Sequence, residues 1–154
     1  MKIGSGCVIR TRNWGSEPFL IEIGDHVHVT VGVSFVTHDG GVWVFQQEIP
    51  EFDVFGRIRI GDNTYIGDHA TILPGVTIGR NCVIGAGSVV SRSIRDNTVA
   101  AGNPIRFIST TDAYRAKMLR VNVGTNGMPL KAKIRALLGL PIDKEIKREP
   151  LLPG

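Results

Sequence analysis

The sequence predicts an all-β solenoid, a parallel β-helix with inserted loops and short C-terminal helices, and three observations predict it. From residue 60 a branched aliphatic recurs every six positions, at Ile60, Ile66, Ile72, Ile78, Ile84 and Val90. The fourth place after the aliphatic is small or β-branched: Thr64, Ala70, Val76, Cys82, Ser88. Just before it stands a residue that tolerates left-handed or turn backbone: Asn63, His69, Gly75, Asn81, Gly87. A helix would need apolar positions near a 3.6 spacing and a hairpin strand would need period two, and neither fits. A chain turning a corner every six residues does fit, with short parallel strands stacked about 4.8 Å apart and the aliphatics in interior columns.

The same phase appears earlier, with Ile3 and Ile9 and then Ile23, Val29 and Phe35; Cys7 takes a small slot, so Cys7 and Cys82 are both expected in the core. The phase breaks at residues 10–22 and 39–56, and insertions in a solenoid mark loops on its working face. The second break brings Trp43, Phe45, Phe52 and Phe55 into a loop expected to be structureless. Residues 1–110 are thus expected to form the coil and residues 111–154 a helical tail. In that tail Asp112 caps a helix over Ala113 to Val121, the GTNG at 124–127 breaks it, and a second helix over Pro129 to Leu138 ends at Gly139 and Pro141.

At 154 residues, 42% of them hydrophobic, the chain has room for one modest domain. No apolar run approaches the roughly 20 residues of a membrane span, and Met1 to Arg12 carry no leader pattern, so a cytoplasmic protein is expected. Two cysteines are too few for a disulfide framework and lack zinc-site spacing. The net charge of +4 is unevenly spread: residues 1–105 carry 8 Lys and Arg against 10 Asp and Glu, and residues 106–154 carry 10 against 4. Such a tail suits a phosphorylated ligand or an anionic surface, or is simply a solvated helix face. Tyr114 is its one aromatic beyond Phe107, so the stacking residues of a single-strand binder are missing and no nucleic-acid partner is expected.

The run IGDNTYIGDHATILPGVTIGRNCVIGAGSVVSRSIRDNTVAAGNP, residues 60–104, with THDGG ahead of a long loop, resembles the hexapeptide-repeat acyltransferases, among them galactoside, maltose and xenobiotic acetyltransferases and polysaccharide O-acetyltransferases. The resemblance covers residues 3 to about 110. It implies a left-handed parallel β-helix with three hexads per turn, an exception to right-handed crossovers. It also implies a homotrimer with active sites between subunits, and acetyl-CoA as acyl donor with no metal. His38, at a corner where coil gives way to loop, matches the family's catalytic histidine. Imidazole, with an unperturbed pKa of about 6.5, suits a general base at neutral pH. The alternative is a corner histidine tolerated for its backbone. No residue stands out as a nucleophile, so direct attack on the thioester is implied, with a backbone N–H to steady the oxyanion.

By the same match Asp68 and Ala86 grip the pantetheine arm through backbone groups, while Ser91, Arg92 and Arg106 lie near the phosphates; for the arginines the alternative is solvated charge. A further family Arg is Ser109 here, which leaves the basic tail helices as a substitute. His26, His28 and His69 are expected to be structural, because the five-residue histidine spacing of the zinc-binding hexapeptide carbonic anhydrases is absent.

For the acceptor, Asn13, Trp14 and Glu17 in the first loop and Trp43 in the second offer polar groups for hydroxyls and flat rings for an apolar sugar face; packing between subunits is the alternative for the tryptophans. The expected reaction is transfer of an acetyl group from acetyl-CoA to a sugar hydroxyl of a polysaccharide or glycan precursor. N-acetylation of an amino sugar or nucleotide-linked amino sugar is the alternative chemistry. A non-catalytic β-solenoid scaffold is the alternative class.

Overall fold

Two-residue strands alternate with tight corners through the first of two compact units, Met1–Thr111; the second is Asp112–Gly154. The computed structural model describes residues 1–148 and 150. In chain order the strands are β1 Lys2–Ile3, β2 Val8–Ile9, β3 Ile21–Ile23, β4 His28–Val29, β5 Ser34–Phe35, β6 Ile58–Ile60, β7 Tyr65–Ile66, β8 Thr71–Ile72, β9 Thr77–Ile78, β10 Val83–Ile84, β11 Val89–Val90, β12 Thr98–Ala101 and β13 Arg106–Thr110.

Among the described residues they pair into three sheets, a first face β1-β3-β6-β9, a second face β2-β4-β7-β10-β12-β13 and a third face β5-β8-β11. All pairs are parallel except β12 with β13. The chain visits the faces in rotation, and in the regular part Ile60 pairs with Ile78, Ile66 with Ile84 and Ile72 with Val90. Three hexads therefore make one circuit.

Packing follows the hexad. Ile23, Ile60 and Ile78 line the first face, Val29, Ile66, Ile84 and Ala100 the second, and Phe35, Ile72 and Val90 the third, each at most 4% exposed. The small slots, Thr64, Ala70, Val76, Cys82 and Ser88, are buried between them. Burial pushes the Cys82 thiol up, away from the reactive thiolate. All five corner residues stand at positive φ, from 53° at Asn63 to 80° at Gly75. The glycine that follows the aliphatic serves differently: a Cβ on Gly61 would lie 2.6 Å from the Arg80 amide nitrogen of the next circuit. Side chains tie one corner together along the coil: the His26 Nδ1 and Asn63 Oδ1 lie 2.8 Å apart, Asn63 Nδ2 donates to Asn81 Oδ1 at 2.8 Å, and Asn81 Nδ2 donates to Asn97 Oδ1 at 2.9 Å. His26 is thus structural.

Three features depart from the hexad reading. The coil does not lapse at residue 10: Asn13 bridges Ser34 in parallel, and the Phe35 amide donates to the Asn13 carbonyl at 2.9 Å. Trp14 thereby takes the third-face slot of the first circuit, its ring stacked on Phe35 with centroids 5.0 Å apart. Near the other end Ile94, only four residues after Val90, continues the first face by bridging Ile78. After AAGNP the chain reverses, and β13 covers the last edge of the second face.

In the second unit α1 spans Thr111–Arg120, with Asp112 in its first turn rather than as a cap before it. Helix α2 spans Leu130–Leu138 between Pro129 and Gly139.

Candidate active site

The two insertions leave the coil at the same corner, the one leading from the third face to the first. In the first circuit this corner lies between Trp14 and β3, and in the second between β5 and β6. Insertions at one corner of consecutive circuits are neighbours, because parallel strands stack directly over one another. The first turns at Gly15, φ 69°, and contains a 3-10 turn, Pro18–Leu20. The second is ordered rather than structureless. It opens with a 3-10 helix, Gly40–Phe45, whose Asp39 side chain accepts from the Gly41 amide at 2.9 Å. Its ends are pinned where the Asp39 amide donates to the Val54 carbonyl and the Gly56 amide to the Thr37 carbonyl, each at 2.9 Å.

At this seam His38 and Glu17 meet. The His38 Nδ1 lies 3.0 Å from Glu17 Oε2, and the buried Thr37 hydroxyl donates to the same oxygen at 2.6 Å. A carboxylate has no proton to give, so Nδ1–H is the donor, and in the neutral ring Nε2 carries the lone pair. The Thr37 hydroxyl, and after it His38, hold the Glu17 carboxyl below its ordinary range, which keeps it ionised at neutral pH. The His38 side chain is 40% exposed against 19% for Glu17, so the imidazole reaches out while its partner stays covered. Phe55 sets its ring edge-on at 6.2 Å, and Gly40 leaves Nε2 uncrowded, since even a Cβ there would lie 3.9 Å away. The arrangement is an imidazole held by a carboxylate, open on its far nitrogen.

Glu17, expected as a sugar contact, is thus engaged by His38 and Thr37. Trp14, expected beside it in a loop, is a half-buried coil residue whose ring packs on the core. Asn13 uses its backbone in the strand bridge. Trp43 stands 74% exposed on the second insertion. Asp68 and Ala86 lie in adjacent circuits at a different corner, between the second and third faces, where the Asp68 carbonyl accepts from the Gly87 amide at 2.8 Å. Within one chain that corner is distinct from the His38 corner.

Arg92 and Arg106 come together with Arg95, which the sequence did not single out, around a cavity of about 470 Å³ at the end of the coil. Ile94, Ala100 and Ile105 line it too, and Phe107 on its edge is largely exposed. Ser91 is exposed nearby in sequence and is not among the lining residues. Among the described residues no group of three or more His, Cys, Asp or Glu could hold a metal ion, and no helix is long and apolar enough to cross a membrane.

Known proteins share this sequence and architecture. Residues 57–92 match the family model described as bacterial transferase hexapeptide (six repeats). Protein CapG of Staphylococcus aureus is 50% identical over 122 residues, covering 77% of this chain and 71% of CapG. A maltose O-acetyltransferase from Clostridium difficile 630 superposes with a TM-score of 0.53 at 32% identity, over 71% of this chain and 66% of that one. The hexapeptide-repeat-containing acetyltransferase VCA0836 of Vibrio cholerae O1 biovar eltor, solved with acetyl coenzyme A, superposes with a TM-score of 0.58 at 29% identity, over 70% of this chain and 58% of that one. The six-residue period, the three parallel faces and the extent of the match to CapG place this chain in the hexapeptide-repeat acyltransferase family.

Proposed function

We propose that the protein transfers an acetyl group from acetyl-CoA to a sugar hydroxyl, with His38 as general base and Glu17 holding its imidazole. The observation that carries this reading is the His38 Nδ1 to Glu17 Oε2 contact at 3.0 Å, which fixes the tautomer that offers Nε2 to an acceptor. Likeness to a maltose O-acetyltransferase supports a carbohydrate hydroxyl, and the acetyl coenzyme A in VCA0836 supports the donor.

Acetyl-CoA supplies the acetyl group as a thioester, and coenzyme A departs as the thiol when the carbon–sulfur bond breaks. The His38 Nε2 removes the acceptor's hydroxyl proton as its oxygen attacks, and Glu17 stabilises the imidazolium so formed across the Nδ1–H hydrogen bond. His38 then returns that proton to the departing sulfur. Arg92, Arg95 and Arg106 suit the donor's phosphates, and Phe107 its purine, by charge and by stacking. The distinct corners of His38 and of Asp68 with Ala86 support a site shared between subunits of a homotrimer, one corner supplied by each of two copies. The exposure of Trp43 on the second insertion supports a role for it in meeting the acceptor.

Thiol release from acetyl-CoA, measured against a panel of sugars and amino sugars, tests the reaction. Turnover with a sugar lacking an amine is expected. Turnover confined to amino sugars would replace the hydroxyl acceptor with an amine, and absence of coenzyme A binding would leave the coil a scaffold.

A further inference from the structure

The second unit carries a helix whose apolar side has no cover. In α2, Leu130, Ile134, Leu137 and Leu138 recur at intervals of four, three and one, which places them in one stripe roughly 100° wide. They are 72%, 48%, 45% and 86% exposed. Lys131 and Lys133 border that stripe on its two sides, Arg135 lies beyond Lys131, and the small Ala132 and Ala136 occupy the back. The charge on the helix is of one sign: α2 holds Lys131, Lys133 and Arg135 and no Asp or Glu.

We propose that α2 lies on the surface of an anionic lipid bilayer, with its leucine and isoleucine stripe in the acyl boundary and its flanking cations among the headgroups. An exposed apolar stripe bordered on both sides by cations is the pattern of an in-plane interfacial helix: the long lysine stems reach back to the headgroups while the stripe is buried. Nine residues are far short of a span, so the helix lies in the interface. Charge complementarity selects the occupant. A neutral protein surface would have no use for three cations beside the stripe with no counter-charge on the helix, and a nucleic acid would have no use for the exposed aliphatics where aromatics are missing. Anchoring by one short helix is weak and reversible, and strongly dependent on salt.

Co-sedimentation of the full chain with phosphatidylcholine vesicles, with and without about one-third phosphatidylserine, tests this directly. Binding is expected to the mixed vesicles only, and to weaken as salt is added. Replacing Lys131, Lys133 and Arg135 together by Gln should weaken it about tenfold or more, since each cation near an anionic surface contributes separately. Leu138→Asp should do the same while leaving the helical circular dichroism intact, because that side chain already faces solvent. Equal binding to both vesicles, no binding to either, or unchanged binding by Leu138→Asp would overturn the proposal. So would tighter binding to a short DNA duplex than to mixed vesicles, or an oligomer that Leu138→Asp disperses with no vesicle binding by the parent.

Discussion

The imidazole of His38 and the carboxylate of Glu17 stand 21 residues apart in the chain and meet at 3.0 Å between Nδ1 and Oε2. The coil brings them together: each sits on an insertion at the same corner, one circuit apart. Thr37, buried in the wall, places its hydroxyl on the same carboxylate oxygen and so locks Glu17 from the side opposite the solvent. An imidazole supported in this way keeps its orientation and leaves Nε2 free, as the proposed general base requires.

Glu17→Gln should lower kcat about 10- to 100-fold while the KM for the donor stays within about twofold, because the amide keeps the shape but not the charge that favours imidazolium. Glu17→Ala should add a loss of stability in denaturant unfolding, since it leaves the buried Thr37 hydroxyl without its acceptor. The Glu17 carboxyl is held below its ordinary 4.5, so it remains ionised as the pH falls through that value, and loss of activity on the acid side should begin before Glu17 is protonated. An unchanged kcat for Glu17→Gln would reduce Glu17 to a structural residue.

Trp14→Ala should cost about 2 to 4 kcal/mol in urea unfolding, as a half-buried ring stacked on Phe35. Trp43→Ala should change stability by no more than about 0.5 kcal/mol and act instead on the KM for the acceptor. The reverse pattern would return Trp14 to the substrate and Trp43 to the core.

Asp25 and Asp96, like Glu17, are held below the ordinary carboxylate range, which links the fold's stability to acid pH. The Ser5 amide, with its hydroxyl, holds Asp25 below its ordinary 3.8, and Arg80 does the same for Asp96. A group whose folded pKa is depressed contributes stability above its unfolded pKa, and that stability is lost as the pH falls toward the folded value. The melting temperature should therefore be level from neutral pH down to about 5 and fall below about 4. Asp25→Asn with Asp96→Asn should flatten that fall and lower the plateau. A melting curve that drops already between pH 7 and 5 in the parent would place the linkage on other groups.

Arg92→Ala, Arg95→Ala and Arg106→Ala should each raise the Kd for coenzyme A about 5- to 20-fold by calorimetry, with less effect on dephospho forms and at high salt. If only the solvated alternative held, all three Kd values would match the parent's.

The coil was legible because burial repeats every six residues, and Ile60 to Val90 obey that period without exception. Trp14 was not, because it follows Ile9 by five residues and is aromatic; an aliphatic rule passes over it. Ile94 was missed for the matching reason, a corner two residues short. The reversal into β13 has no period to announce it, since an edge cover pairs once. At the site His38 could be singled out from its place at the break, and Arg92 and Arg106 through the resemblance alone. The partnership with Glu17 could not, because contact between corners depends on which circuit each insertion leaves, and that requires Trp14 to be counted as a strand residue. The available signal was the common corner of the two breaks.

The most direct test of the account is the turnover of His38→Ala in a chemistry-limited thiol-release assay with acetyl-CoA and the best acceptor. The account predicts a fall in kcat of about 100- to 10,000-fold with the coenzyme A Kd and the melting temperature nearly unchanged. Near-parental turnover by a folded His38→Ala would contradict it.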